Sequence, residues 1–190
     1  MIKIGILGDI GSGKSFISKN FGYPVFNADH EVSQIYKKNK KIYLKLKKIL
    51  PKNFQSFPIQ KKEVLKAILN NKKNLKKIIK VIHLEIRKKL KIFLRKNKNQ
   101  KIVVLDIPLL LENKINKKND ILIFVDSKKN EIEKRLKKRK NFNIKLIKMF
   151  RKIQLPLDLK KKKSHFVIKN DFKYKSIRKD IKMILGEILK

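Results

Sequence analysis

The chain predicts an α/β fold: a parallel sheet in a three-layer arrangement that carries a helical insertion. Three observations lead there. Ile2, Ile4, Ile6 and Leu7 form an apolar run that passes through a glycine-rich loop into residues at helical spacing. Two later runs, 102–110 and 121–126, are apolar enough for strands buried on both faces. Between the first run and these two, residues 31–96 step through apolar positions by threes and fours and show no strand-like alternation.

Taken in order, the first strand ends in Gly8-Asp9-Ile10-Gly11-Ser12-Gly13-Lys14-Ser15, which fits G-x-x-x-x-G-K-[ST]. A helix opening near Gly13 carries Phe16, Ile17 and Phe21. Gly22-Tyr23-Pro24 is a turn, and Val25-Phe26 resumes an extended run that ends in Asn27-Ala28-Asp29-His30. A helix is expected from Glu31, with Ile35, Ile42, Leu46, Ile49 and Leu50 on one face. The stretch from Pro51 to Pro58 breaks it. Val64, Leu65, Ile68 and Leu69 start another helix. A long stripe then runs from Leu75 through Ile78, Ile82, Ile86 and Leu90 to Leu94. The run from Ile102 to Leu110 reads as one strand with Asp106 near its end, and Ile121 to Asp126 as the next. A helix with Ile132 and Leu136, a basic run from Lys134 to Lys140 and one short helix from Phe142 to Leu159 follow. A last strand at 166–168 and a closing helix through Ile177, Ile181, Ile184, Leu185 and Ile188 complete the chain.

The glycine loop dictates its own chemistry. A phosphate chain is wrapped only when successive backbone N–H groups point inward, and side chains at Gly8, Gly11 and Gly13 would obstruct them. The helix adds the positive end of its dipole. Lys14 can reach the β- and γ-phosphates, the Ser15 hydroxyl can meet Mg²⁺, and the amides of Ser15 and Phe16 can reach phosphate oxygens. A nucleoside triphosphate, ATP, is the expected ligand, with Ser12 in the same loop. Asp29, at the end of an extended run beside this loop, reads either as a general base or Mg²⁺-organising group, or as an N-cap for a helix starting at Glu31. Asp106 reads as the acid that orients Mg²⁺ through water. His83 and Arg87, four apart on a helix, could grip an anionic substrate or form a solvated basic face.

The 190 residues carry a formal charge of +38, no cysteine, and 53 basic side chains of which only six are Arg. Lys, Asn and Ile have A/T-rich codons, Ala occurs only at positions 28 and 67, and Lys is spread evenly. Codon bias therefore accounts for the charge, and no specific nucleic-acid partner is expected. Where Lys is the default cation, Arg135 and Arg139 suggest a need for a planar, forked phosphate donor. Disulfides and thiolate metal sites are excluded. No apolar run reaches membrane-spanning length, and the N-terminal run lacks a signal-peptide pattern, so no membrane partner and a cytoplasmic setting are expected. Nothing in the sequence bears on oligomeric state.

Several segments together resemble one family, the dephospho-CoA kinases. GDIGSGKS at 8–15 is similar to the family's GGIGSGKS, and PVFNADHEVSQIY at 24–36 to its P-V-x-D-A-D-x-x-A segment. VIHLEIRK at 81–88 resembles its hHPxhR segment, and DIPLLLE at 106–112 its D-x-PLL-x-E run. RLKKR at 135–139, RKIQLP at 151–156 and FVIKND at 166–171 resemble its lid and its F-V-I-x-N ending. The resemblance implies a P-loop NTP hydrolase-type three-layer fold with a parallel sheet, a helical substrate-binding insertion and a lid. It divides the single kinase domain into a core (1–30, 97–134 and 164–190), an acceptor-binding insertion (about 31–96) and a lid (about 135–163). It implies that phosphate passes from ATP, with Mg²⁺, to the ribose 3′-hydroxyl of dephospho-CoA. Asp29 would be the base, Lys14 and Arg139 would act on the transferred phosphoryl, and Arg151 would bind ATP. His83, Arg87, Pro108 and Leu109 would meet the acceptor. Asn27, Asp9 and Leu84 stand where the family has Asp, Gly and Pro. Another P-loop kinase acting on a nucleoside monophosphate, or a nucleic-acid-binding P-loop protein, are the alternatives the loop alone allows.

Overall fold

Ile2–Gly8 form β1, the central strand of a five-stranded sheet. The computed structural model describes residues 1–139 and 142–190. It divides into a first unit, Met1–Asn27 with Asn97–Lys190, and a second, Ala28–Lys96. In chain order the elements are β1, α1 (Lys14–Asn20) and β2 (Val25–Asn27), then α2 (Ala28–Lys38), α3 (Lys40–Ile49), α4 (Lys61–Asn70) and α5 (Lys72–Lys96). β3 (Ile102–Asp106), β4 (Ile121–Asp126), α6 (Lys129–Lys137), α7 (Ile144–Lys152), α8 (Leu157–Lys162), β5 (Phe166–Lys169) and α9 (Tyr174–Ile188) follow. The basic run from Lys134 to Lys140 ends on residue 140 and the expected lid span includes residues 140 and 141, both of which lie outside the described residues.

The sheet order is β2-β3-β1-β4-β5, and every pairing is parallel. Alternation along the strands puts Ile4, Ile6, Ile102, Val104, Ile123, Val125 and Ile168 on one face. Ile17 of α1, Phe21 at its C-cap, and Ile177, Ile181 and Ile184 of α9 close that face. On the opposite face Gly5 leaves room for Leu110 and Leu122, whose methyls lie 2.5 and 3.0 Å from where a Cβ would stand. A parallel sheet needs both faces covered, and α8 packs against β1 as well. The register brings Gly8, Asp106 and Asp126, the last residues of three neighbouring strands, to one edge. The approach to α9 is held by Asp171, which accepts from Ser176 Oγ at 2.6 Å and the Lys173 amide at 2.9 Å. These bonds hold its carboxyl below the usual carboxylate range.

The second unit is all helix. Ile35, Ile42, Leu46, Val64, Ile68, Leu75, Ile78, Ile82, Ile86 and Leu90 are buried within the chain. Asn39 caps α3 by accepting from the Ile42 amide at 3.1 Å, and Glu63 closes a capping box on Gln60 at 2.9 Å. Lys89 pairs with Glu31 at 2.8 Å and ties α5 to α2. Residues 51–58 do break the helices, but they also insert Phe54, which is fully buried, and Tyr43 Oη donates to the Gln55 carbonyl at 2.9 Å. Burial pushes the Tyr36 hydroxyl up to about 12. The 25-residue α5 runs unbroken through Leu84.

Three expectations need correction. The run expected as one strand over 102–110 ends at Asp106. Pro108 cannot donate to a ladder, and the chain turns so that Leu110 N–H meets the Ile107 carbonyl at 3.2 Å. Leu110 is completely buried in that turn, so an apolar run had a second way to reach the core. The helix expected from Phe142 to Leu159 is two, because Pro156, at φ −51, ends one path and starts α8. Helix α2 begins at Ala28 rather than Glu31. Asp29 is therefore an acid inside the first turn, where it complements the helix dipole, and not the N-cap of a Glu31 start. Among the described residues no helix is long and apolar enough to cross a membrane.

Candidate active site

The loop between β1 and α1 has the shape its residues require. Gly8 lies at φ 144, and a Cβ there would stand 2.8 Å from both Ser12 Oγ and the Val125 carbonyl. Gly13 lies at φ 92 as the N-cap of α1, and a Cβ there would collide with the Asn170 amide nitrogen. Neither position admits another residue without strain. Gly11 rests against Leu136 and Ile132 of α6. Ser12 is fully buried, and its Oγ has no hydrogen-bond partner among the described residues. Its carbonyl accepts twice, from Ser127 Oγ at 2.9 Å and from Asn170 Nδ2 at 2.7 Å. The loop is thus pinned from β4 and β5, while α1 directs its N-terminus toward it. This cradle of backbone amides fits a phosphate chain.

Lys14 Nζ lies back across the loop, donating to the Asp9 carbonyl at 2.7 Å and the Gly8 carbonyl at 3.2 Å. The Ser15 side chain is exposed in the first turn of α1. The Phe16 amide donates to the Gly13 carbonyl at 3.0 Å, and the Phe16 ring meets Tyr174 edge-on at 6.5 Å. Asp106, 3% exposed, accepts from Asn27 Nδ2 at 2.6 Å. The side chain of Asn27 therefore stands against the buried acid, where a carboxylate would repel it.

Asp9, whose charge would oppose a phosphate, carries its own counterion. Arg151 donates Nε to Oδ1 at 3.1 Å and a terminal nitrogen to Oδ2 at 2.6 Å, a two-point fork. The same unit holds a second, more deeply buried pair. Lys160, 1% exposed, pairs with Glu112 at 2.7 Å and donates to Gln154 Oε1 at 3.1 Å. The same Glu112 oxygen takes the Leu155 amide at 2.9 Å. Glu112 therefore ties the turn after β3 to the segment between α7 and α8, just beyond Arg151.

A family model described as dephospho-CoA kinase matches residues 2–176. The chain belongs to the dephospho-CoA kinase family. It is 33% identical, over 97% of each chain, to the dephospho-CoA kinase of Wolbachia sp. subsp. Brugia malayi (strain TRS). Among solved structures, TT1252 from Thermus thermophilus matches with a TM-score of 0.75 at 25% identity, over 98% of this chain and 97% of that one. The dephospho-CoA kinase from Campylobacter jejuni shares the fold, with a TM-score of 0.65 at 24% identity over 98% and 96%.

For a dephospho-CoA kinase family member, the expected residues fall into two groups. Gly8, Gly11, Ser12, Gly13, Lys14, Ser15, Phe16, Asp106 and Arg151 all belong to the first unit and surround the loop or the adjoining sheet edge. Pro108 and Leu109 lie half-buried in the turn after β3. Arg139 is exposed just past α6. Asp29, His83 and Arg87 belong to the second unit, Asp29 exposed in the first turn of α2 and the other two one turn apart on α5. Reading by residue type missed Asn170, Ser127, Gln154, Glu112 and Lys160 as supports. Three of them, Asn170, Gln154 and Glu112, stand in the motifs FVIKND, IQLP and DIPLLLE, which was the available signal; Ser127 and Lys160 had none.

Proposed function

We propose that the chain transfers the γ-phosphoryl of ATP to the ribose 3′-hydroxyl of dephospho-CoA and releases ADP and coenzyme A. The observation that carries this reading is the family match over residues 2–176, on a chain whose first loop is a phosphate cradle. The hydroxyl oxygen forms a bond to the γ-phosphorus as the bond to the bridging oxygen of ADP breaks, and the hydroxyl proton passes to Asp29. Lys14 and the loop amides hold the β- and γ-phosphates, with Arg139 and Arg151 as further cations. His83, Arg87, Pro108 and Leu109 orient the acceptor. The Ser15 hydroxyl and, through water, the Asp106 carboxylate are oxygen donors of the kind Mg²⁺ takes beside phosphate and water. When bound there, Mg²⁺ neutralises charge on the phosphates.

The test is ADP release in the presence of Mg²⁺ and alternative acceptors. Dephospho-CoA is expected to drive turnover, and AMP, CMP and dTMP to give little. Faster turnover with any monophosphate would replace this reading with a nucleotide kinase.

Asp29 offers a sharper probe. Asn at this position keeps size and hydrogen bonding but cannot take the proton. General-base contributions run to roughly 10²–10⁴-fold, and kcat of Asp29→Asn is expected to fall within that range with ATP affinity nearly unchanged. Wild-type turnover in this variant would leave Asp29 as a residue that only favours the helix start.

A further inference from the structure

Asp9 departs from the family's glycine, and two of the three cations assigned to the phosphates, Lys14 and Arg151, converge on it. Its main-chain carbonyl takes Lys14 Nζ at 2.7 Å. Its carboxylate takes the Arg151 fork at 3.1 and 2.6 Å, and Oδ1 also accepts the Ile10 amide at 2.7 Å. The pair is partly sheltered, with 12% of the Asp9 side chain exposed and 35% of Arg151. A guanidinium presents the same planar fork to a carboxylate and to a phosphate, and it cannot give its donors fully to both. A carboxylate in the phosphate loop also repels a polyphosphate directly.

We propose that Asp9 is an affinity-setting residue: its carboxylate is an internal competitor that holds Arg151 until the phosphates of ATP displace it. Asp9 then acts on nucleotide binding through Arg151, as a positioning residue. The proposal rests on the reading of the loop as an ATP site. Two effects follow when the charge is removed. Asp9→Asn lifts the direct repulsion, and it also frees Arg151. Only the second depends on Arg151 being present, so a double-mutant cycle separates them.

The experiment is ATP binding by calorimetry without acceptor, and the KM values of both substrates. Four proteins are compared: wild type, Asp9→Asn, Arg151→Ala and the double variant. Melting curves confirm that each is folded, and Asp9→Gly repeats the cycle with the family's residue. Asp9→Asn is expected to tighten ATP binding at least about tenfold, a difference equivalent to 1.4 kcal/mol. In the Arg151→Ala background the same change should gain less than about threefold, well under that tenfold step. The KM for dephospho-CoA should stay put in Asp9→Asn. Equal gains in both backgrounds, or no gain in either, would overturn the proposal while leaving the ATP site standing. A folded wild-type protein that binds no ATP would instead overturn the functional reading beneath it.

Discussion

Lys14→Ala is expected to cut kcat by about 10³–10⁵-fold, the range seen when one transition-state cation is removed from a phosphoryl-transfer site. The ground for this is electrostatic. Negative charge spreads over the transferred phosphoryl oxygens, and a fixed ammonium nearby stabilises it most when water is excluded. The same substitution should leave the fold alone. Lys14 Nζ bonds the carbonyls of Gly8 and Asp9 at 3.2 and 2.7 Å, on a loop pinned independently by Ser127 and Asn170. Losing such bonds at a partly exposed site costs roughly 0.5–1.5 kcal/mol each. Circular dichroism should match the wild type, and at roughly 2–4 °C per kcal/mol the two lost bonds should lower the melting temperature by about 2–12 °C. More than a tenth of wild-type turnover would remove Lys14 from the chemistry.

The largest expected effect on stability lies away from the reacting atoms, at Lys160. Its side chain is 1% exposed, with the ammonium 2.7 Å from Glu112, whose side chain is 10% exposed. Lys160→Met keeps the stem but removes the charge, so Glu112 is left buried with the Leu155 amide but without its counterion. Breaking a buried pair from one side costs about 3–5 kcal/mol. At roughly 2–4 °C per kcal/mol for a chain of this size, the melting temperature should fall by about 6–20 °C. Replacing both partners tests the cause. Glu112→Gln with Lys160→Met still offers the Leu155 amide an acceptor and buries no charge, so most of the loss should return. A double variant as unstable as the single one would show that packing of the Lys stem, and not charge, decides the matter. Because Glu112 anchors the segment just past Arg151, ATP affinity should weaken with the single variant and recover with the double.

The phosphate loop was legible because everything that shapes it is contiguous. Strand, glycines, lysine and helix start lie within residues 2–20, and local sterics decide their conformation. Strands β1 and β4 were legible for a related reason: a parallel strand buried on both faces must be apolar throughout. The same rule overran at residues 107–110. Hydrophobic burial favours a turn that fills the core as much as a strand that does; Pro108 was the local sign against a strand, and the packing of Leu110 against Gly5 is what the turn gains. Pro156 signalled a break, but its effect depended on where α8 could pack.

The supports of the loop are pairs distant in sequence: Asn170 with Ser12, Arg151 with Asp9, Lys160 with Glu112. Periodicity records which face of an element is apolar. It carries no record of which polar groups meet across the fold, because that choice is made by desolvation once the sheet has assembled. Asp9 shows the difference most clearly. By itself it is a charge that opposes phosphate, and only the folded chain supplies the arginine that neutralises it. The sequence by itself determined that this protein has a phosphate cradle between a buried strand and a helix. Tertiary structure decided which side chains hold that cradle, since a buried hydrogen bond or ion pair forms only where the fold brings both partners out of water together.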